Sequence, residues 1–547
     1  MQKVLTAAEM REVDRLTTEK YGIPQLILME NAAHAAARVI TEMLDGSVEE
    51  RSILILCGKG NNGGDGAALA RVLWQQGADV EVVLFGLVSD TKSEARVNFD
   101  ILQKISEGEG FELTQSDLAF EEITSLEEWF EYDSLNFHTD DPDVIVDALF
   151  GTGLERPLDG VFEQVAAYID AFAESGDDDR GTLVVALDIP SGIDSDKHVR
   201  IGANCRADAT VTFTAPKLAN ILPPAATCGG EIHVANIGTP CELVNRMASR
   251  TFVSDQTDVS RWLELSEFTH NSYKNKRGHA LLIAGSRNYS GAAVLCGDAA
   301  ISTGVGLVTI AAPDTAADSI AARVMPEVMV RGVPGTANGA ISAEAFDAIR
   351  EFSSNVDVIA IGSGLSSSEE STRALVRRII EERKTPVIVD ADGLNSIKPF
   401  DLRGSEELPL ILTPHEGEFL RMLGTDDREA LKDRVEVCRK FAQDHSVILV
   451  LKGERTMIAH PDGTVVINPT GNSGLGKAGN GDTLTGILAG FAAQAVQMKI
   501  DMFETVVAAA YIAGFAGDIA ELEFGKRVMT ASDVRRSLAE AFRAIDA

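Results

Sequence analysis

Ile53-Leu54-Ile55-Leu56-Cys57-Gly58-Lys59-Gly60-Asn61-Asn62-Gly63-Gly64-Asp65-Gly66 is an apolar run that stops at a glycine turn and opens into a helical pattern. A continuous apolar run of this length reads as a strand buried on both faces of a parallel sheet. The turn that follows therefore sits where α/β proteins bind nucleotide-like ligands. Its first six residues, Gly58 to Gly63, spell G-x-G-x-x-G, a fingerprint that brings glycine backbone and a helix N-terminus close to a pyrophosphate. Asn61, Asn62 and Asp65 are more than that fingerprint needs, and such side chains point to chemistry or ion binding.

Downstream, Leu69, Val72 and Leu73 share a helical face and Gly77 is a plausible stop before the next apolar run at 80–85, which completes one βαβ unit. Further runs at 144–150, 183–187 and 209–214 continue the alternation. The pattern predicts a Rossmann-like three-layer αβα domain over residues 1–240, its parallel sheet covered on both faces. A second series at 281–284, 307–312, 356–361, 386–389, 408–412 and 447–451 predicts another α/β domain over 270–547, with buried helices near 291–302 and 483–494. The less periodic residues 241–269 read as a linker. No internal repeat relates the two halves.

Bulk properties agree with two or three domains, since 547 residues are too many for one core. With 83 acidic and 49 basic residues the net charge is −34, which repels nucleic acid and anionic membranes, so neither is expected as a partner. Solubility is the simplest role for this charge. The six cysteines include no C-x-x-C pair and several lie in apolar segments, so neither a disulfide framework nor a zinc site is indicated. No uninterrupted apolar run approaches bilayer length and the N-terminus lacks a basic-then-apolar leader, so a cytoplasmic protein is expected. The acidic stretches 140–143 and 176–179 read as surface turns.

Four segments of the first half end strand runs and should converge: Asn61 to Asp65, Asp147 to Pro157, Leu187 to Asp194, and Thr214 to Lys217. Asp147 and Asp188, at the ends of apolar strands, must be solvated by ligand, cation or hydrogen bonds. Each alone reads as a cap or turn residue, whereas together, beside the Asn pair, they read as a site. Oxygen donors without His or Cys suit a hard cation. In the second half Gly471 to Ala478 nearly matches a phosphate loop but has Ala478 where Ser or Thr would hold magnesium, an accidental likeness. In Ala478-Gly479-Asn480-Gly481-Asp482-Thr483-Leu484 a glycine turn feeds an apolar helix whose free amides suit phosphate. Asp482 is then either a helix N-cap or a base beside a transferring phosphoryl group. His415, in a loop after a strand, reads either as a surface residue or as part of a shaped ligand loop.

The motifs Asn61-Asn62-Gly63-Gly64-Asp65, Asp147-Ala148-Leu149-Phe150-Gly151-Thr152-Gly153-Leu154-Glu155-Arg156-Pro157 and Ala186-Leu187-Asp188-Ile189-Pro190-Ser191-Gly192-Ile193-Asp194 resemble those of the NAD(P)H-hydrate epimerases over residues 1–240. The resemblance implies binding of nicotinamide cofactor hydrated on its ring and interconversion of its R and S forms. It implies that Asn61, Asn62, Gly63, Gly64, Asp65, Gly151, Thr152, Gly153, Leu154, Glu155, Arg156, Pro157 and Asp188 hold this substrate. Asn62, Asp147 and Ser191 would ligate a potassium ion, and Asp188 would be the acid/base group. That role is chemically reasonable, because epimerising a carbinolamine-like carbon moves protons to and from oxygen beside a ring that can become an iminium.

The Gly479-Asn480-Gly481-Asp482 turn resembles that of ribokinase-like kinases. Gly278 to Ser286, Asp390-Ala391-Asp392-Gly393-Leu394-Asn395, Leu412 to Glu418 and Lys452-Gly453-Glu454-Arg455-Thr456 narrow the likeness to their NAD(P)H-hydrate dehydratase branch, over roughly 270–540. This implies a ribokinase-like domain in which ADP with magnesium, or ATP in eukaryotes, phosphorylates the hydrate hydroxyl before phosphate leaves. Asp482 would be the general base. Lys452, Gly453, Glu454, Arg455, Thr456 and Gly481 would contact the nucleotide, and Ala292, Gly364, His415 and Asp482 the substrate. Two departures stand out: Gly362-Ser363-Gly364-Leu365-Ser366 lacks a third glycine, and Tyr273-Lys274 stands where His-Lys is expected. The two resemblances together imply a bifunctional repair enzyme for hydrated NADH and NADPH, and a homo-oligomer is expected. The alternatives are a ribokinase-like small-molecule kinase fused to a non-catalytic nucleotide-binding module, and a first domain that serves only as a scaffold.

Overall fold

In the computed structural model, residues 1–107, 117–136, 141–174, 181–270 and 273–546 are described; Asp140 and the acidic stretch 176–179 lie outside them. The chain divides into two compact units, Lys3–Ser249 and a second made of Met1–Gln2 with Arg250–Ala547.

The first unit is built on a seven-stranded parallel sheet of β1 (Ser52–Cys57), β2 (Asp79–Phe85), β3 (Leu118–Ile123), β4 (Val144–Ala148), β5 (Leu183–Leu187), β6 (Ala209–Phe213) and β7 (Glu231–Ala235), in the order β7-β6-β5-β4-β1-β2-β3. Alternate residues of the central strands enter two separate cores. Ile53, Ile55, Val82 and Val146 pack beneath the helices Gln25–Met43 and Asn61–Gln75, while Leu54, Leu56, Ile145 and Val184 meet the helix Val161–Glu174 on the other face. Burial on both faces is what makes these strands continuous apolar runs. The chain leaves β1 for β2 and β3 and then returns to β4 on β1's other side, so a crevice opens beyond the carboxyl ends of β1 and β4.

In the second unit ten strands between Thr251 and Asn468 are β8 (Thr251–Val253), β9 (His279–Ile283), β10 (Leu307–Pro313), β11 (Met329–Val333), β12 (Val358–Ile361), β13 (Val387–Val389), β14 (Leu410–Leu412), β15 (Ile448–Leu451), β16 (Thr456–Ala459) and β17 (Val465–Asn468). Their order is β8-β17-β16-β15-β14-β13-β12-β9-β10-β11, parallel except for β16, which runs against both neighbours. The expected helices are present as Ser290–Ile301 and Asn480–Met498, packed into one core with Met502–Phe524 and Ala531–Asp546.

One expectation is corrected. The stretch 241–269 is folded rather than a linker: Leu243 is buried with Leu5, Met10 and Val13 in the first unit, and Trp262 stacks on Phe491 at 4.2 Å between ring centroids in the second. Its weak periodicity reflects short elements, the six-residue helix Cys241–Arg246 and the three-residue β8. In addition, Met502–Phe524 is long and apolar enough to cross a membrane by length and composition. Its apolar window is 67% buried inside the protein, as expected of a core helix apolar on all sides.

Candidate active sites

The glycine turn after β1 is shaped by contact between backbones. A Cβ on Gly63 would stand 1.7 Å from the Gly58 carbonyl oxygen, and one on Gly58 would stand 2.1 Å from that of Leu149. Only glycine lets the helix Asn61–Gln75 start this close to the strand end. Its N-cap is Gly60, with no capping side chain, so Asn61 and Asn62 lie in the first turn rather than serving as caps.

Beyond this turn lies a cavity of about 630 Å³, inside the range of small-molecule sites. Of the expected residues, Asn61, Asn62, Asp65, Gly151, Thr152, Gly153, Leu154, Arg156, Pro157 and Asp188 line it. Gly63 and Gly64 are buried in the helix behind it, and Glu155 is exposed beside it. Asp188 follows β5 in the left-handed region at φ 66°. The Lys217 ammonium, only 1% exposed, donates to Asp188 Oδ1 at 2.5 Å, to Thr212 Oγ1 at 2.9 Å and to the Phe213 carbonyl at 3.1 Å, which uses all three of its protons. A Cβ on Gly151 would lie 3.1 Å from Asp188 Oδ2 and 3.4 Å from Asn62 Oδ1, so the Gly151 turn closes over both side chains.

Asp147 is fully buried. It accepts from the Ser191 amide and hydroxyl, both at 2.7 Å, and from the Leu149 amide at 3.2 Å. Burial raises its carboxyl pKa and these hydrogen bonds work against the rise. None of these partners carries positive charge, and a buried carboxylate without a counter-charge is costly. The oxygens of Asn62, Asp147 and Ser191 thus fit a hard cation. Asp65 is pushed well above the usual carboxylate range by burial, with Asp188 and Asp14 adding to the effect. Lys217 and Asp14 also line the cavity, outside the set of site residues expected from the sequence. Lys217 was legible as part of a converging segment, while Asp14 lies on an ordinary-looking amphipathic helix, Ala7–Tyr21.

In the second unit the N-cap of Asn480–Met498 is Gly479, again without a capping side chain. Asp482 therefore stands in the first turn, and the capping role is excluded. Burial brings its carboxyl up to about 6; the nearby Ser363 hydroxyl and Lys452 oppose the rise, while Asp390 and Asp392 reinforce it. Asp390, 1% exposed after β13, ties three segments together: it accepts from Lys452 Nζ at 2.6 Å, Thr413 Oγ1 at 2.8 Å and Thr485 Oγ1 at 2.8 Å. Burial works to lower the Lys452 ammonium, but Asp390 and Glu418 outweigh it and raise it. A Cβ on Gly481 would lie 3.6 Å from Lys452 Nζ, which brings the loop after β15 against the helix start.

Lys452, Gly453, Glu454 and Arg455 leave β15, and Thr456 opens β16. Ala292 and Gly364 meet: Gly364 is at φ 67°, and a Cβ there would stand 2.9 Å from Ala292 Cβ. His415 has a structural task that the sequence reading did not foresee. Its Nδ1 accepts from the Gly417 and Glu418 amides at 3.1 and 3.4 Å and so caps the helix Glu416–Leu423, beside Lys452. The phosphate-loop likeness at Gly471 is indeed accidental, because Asn472 there caps a short turn and bonds to Gly517 and Asp518.

The family model described as YjeF-related protein N-terminus matches residues 25–219, and the one described as NAD(P)H-hydrate dehydratase matches 280–540. A bifunctional NAD(P)H-hydrate repair enzyme, Nnr, of Moorella thermoacetica is 38% identical, covering 97% of this chain and 95% of that protein. Its namesake from Thermofilum pendens is 34% identical over 99% of this chain and 97% of its own. A crystal structure of the ADP/ATP-dependent NAD(P)H-hydrate dehydratase of Bacillus subtilis with ATP/Mg²⁺ is 31% identical, with a TM-score of 0.47, over 55% of this chain and 100% of that one. Similarity at this level along the full length of both relatives makes the chain a member of the bifunctional NAD(P)H-hydrate repair enzyme family.

Proposed function

We propose that the chain repairs hydrated nicotinamide cofactors in two steps: the first unit interconverts the R and S hydrates, and the second returns the S hydrate to NAD(P)H with consumption of ADP. The observation that carries this reading is that one chain holds two carboxylate sites, each with a lysine ion-paired to a carboxylate at the carboxyl ends of its own parallel sheet, Lys217 with Asp188 and Lys452 with Asp390.

In the first unit the hydrated ring enters the cavity beside Asp188. Epimerisation needs a proton delivered to the ring hydroxyl, cleavage of the C–O bond to give an iminium and water, and return of water to the opposite face. Asp188, held by Lys217 and Thr212, is placed to exchange a proton with that oxygen. Asn62, Asp147 and Ser191 would hold potassium, which supplies fixed positive charge to the Gly151 turn. In the second unit Asp482 takes the proton of the hydrate hydroxyl, whose oxygen attacks the terminal phosphoryl group of ADP, and AMP leaves. Loss of phosphate from the ring with a proton from the neighbouring carbon then yields NAD(P)H and inorganic phosphate. Lys452 and the free amides at the start of Asn480–Met498 suit the phosphoryl oxygens. Magnesium bound with the nucleotide would supply neutralisation of phosphate charge.

The test is an assay resolving R and S hydrates of NADH, with ADP or ATP, with and without potassium and magnesium. NADH and phosphate are expected from the S hydrate directly and from the R hydrate after epimerisation. If neither product appears, the reading fails.

A further inference from the structure

The cavity of the first unit contains a carboxyl group that the chemistry above leaves unused. Asp14 lies on the helix Ala7–Tyr21, ahead of the residues matched by the family model, and lines the cavity together with Asp188, Lys217 and Asp65. Its Oδ1 is buried and has no hydrogen-bond partner among the described residues.

Acidic side chains that secure this helix look different. Glu9 accepts from the Thr6 amide at 3.0 Å and the Ser249 amide at 2.7 Å, and Asp196 accepts from the Ala7 amide at 2.8 Å. Those oxygens are used for folding. A carboxyl oxygen buried without a donor favours the neutral acid over the carboxylate.

We propose that Asp14 is a second catalytic group of the epimerisation, the acid that protonates the departing ring hydroxyl, while Asp188 takes a proton from the water that returns to the other face. This inference rests on the proposed function. In the first half-step the Asp14 proton passes to the hydroxyl oxygen, the C–O bond breaks, and iminium, water and the Asp14 carboxylate result. In the second, water bonds to the ring carbon and gives its proton to Asp188. Transfer of that proton from Asp188 to Asp14 through solvent restores the starting state, so no other reactant is consumed.

The division of labour follows from the surroundings. Burial brings the Asp14 carboxyl up to about 6; Lys217 works against the rise, and Asp188 adds to it. Asp65, the other carboxyl group beside it, is itself pushed well above the usual carboxylate range by burial. Asp188 has the direct ion pair with Lys217, which Asp14 lacks. A carboxyl group raised by burial and another paired with an ammonium are suited to opposite roles in one site.

The experiment uses the full chain and R hydrate of NADH, with spontaneous epimerisation subtracted, over pH 5 to 9. D14N is expected to slow epimerisation by about 100-fold or more and to remove the decline expected of the wild type as pH rises through about 6. D14E is expected to restore part of the rate, and dehydration of the S hydrate is expected to be unchanged in both variants. A D14N chain that epimerises within about threefold of wild type overturns the proposal. So does one that is slowed but keeps the wild-type pH profile, since a structural role would act that way. If D14N fails to fold, as judged by its unfolding curve, the pH profile of D14E decides by the same criterion. Failure of the underlying reading would show separately, as a wild-type chain that does not interconvert R and S at all.

Discussion

Single side chains separate the two activities. Replacing Asp482 with Asn should reduce dehydration by a factor of about 100 or more and leave epimerisation intact, because general-base groups contribute about 10²- to 10⁴-fold; loss of both in an R/S-resolved assay would mean that the sites are not independent. With its carboxyl near 6, Asp482 is ionised above that pH, so dehydration should rise with pH through about 6 and then level off. The Asp390 charge contributes to that position, so D390N should move the rise to lower pH, which a kcat profile would reveal. Asp188 calls for the gentler substitution. Truncation to Ala leaves the Lys217 ammonium buried beside no carboxylate, at a cost of about 3–5 kcal/mol. D188N keeps an acceptor there and should abolish epimerisation with much less effect on the urea midpoint of the first unit.

At the level of elements, the start of each catalytic helix is set by glycine. Gly63→Ala puts a methyl group into the Gly58 carbonyl and should destabilise the first unit by about 1–3 kcal/mol while leaving dehydration unaffected, measured by urea unfolding and by the two assays. The central strands are legible in the sequence because burial on both faces makes them uninterrupted apolar runs. The edge strands β3, β7 and β11 are not, since half-exposed sequences such as Leu-Ala-Phe-Glu-Glu-Ile and Met-Val-Arg-Gly-Val carry polar residues where apolar ones would be diagnostic. The same division holds for the sites. Residues inside glycine turns announce themselves, whereas Asp390 and Thr485 matter through contacts across 62 or 95 positions, and spacing along the chain is silent about those.

The molecule as a whole carries a net charge of −34, and its self-repulsion is weakened as salt shortens the Debye length from about 30 Å at 0.01 M to about 8 Å at 0.15 M. Tm should therefore rise with added NaCl in a calorimetric titration; a flat or falling trend would show that favourable charge pairs outweigh the excess of like charge. The division between Ser249 and Arg250 falls in a short interval, from the end of the helix Cys241–Arg246 to β8 at Thr251. Each side of it is secured within its own unit: the Ser249 amide donates to Glu9, and the Arg250 guanidinium donates to the Asp462 carbonyl. Proteases need a slack stretch of chain, and although Arg246, Ala248 and Arg250 are exposed, these hydrogen bonds hold the junction in place. Limited digestion should consequently nick the molecule elsewhere before it halves it, and fragments bearing a single activity will have to be made by truncating the coding sequence rather than by cutting the purified protein.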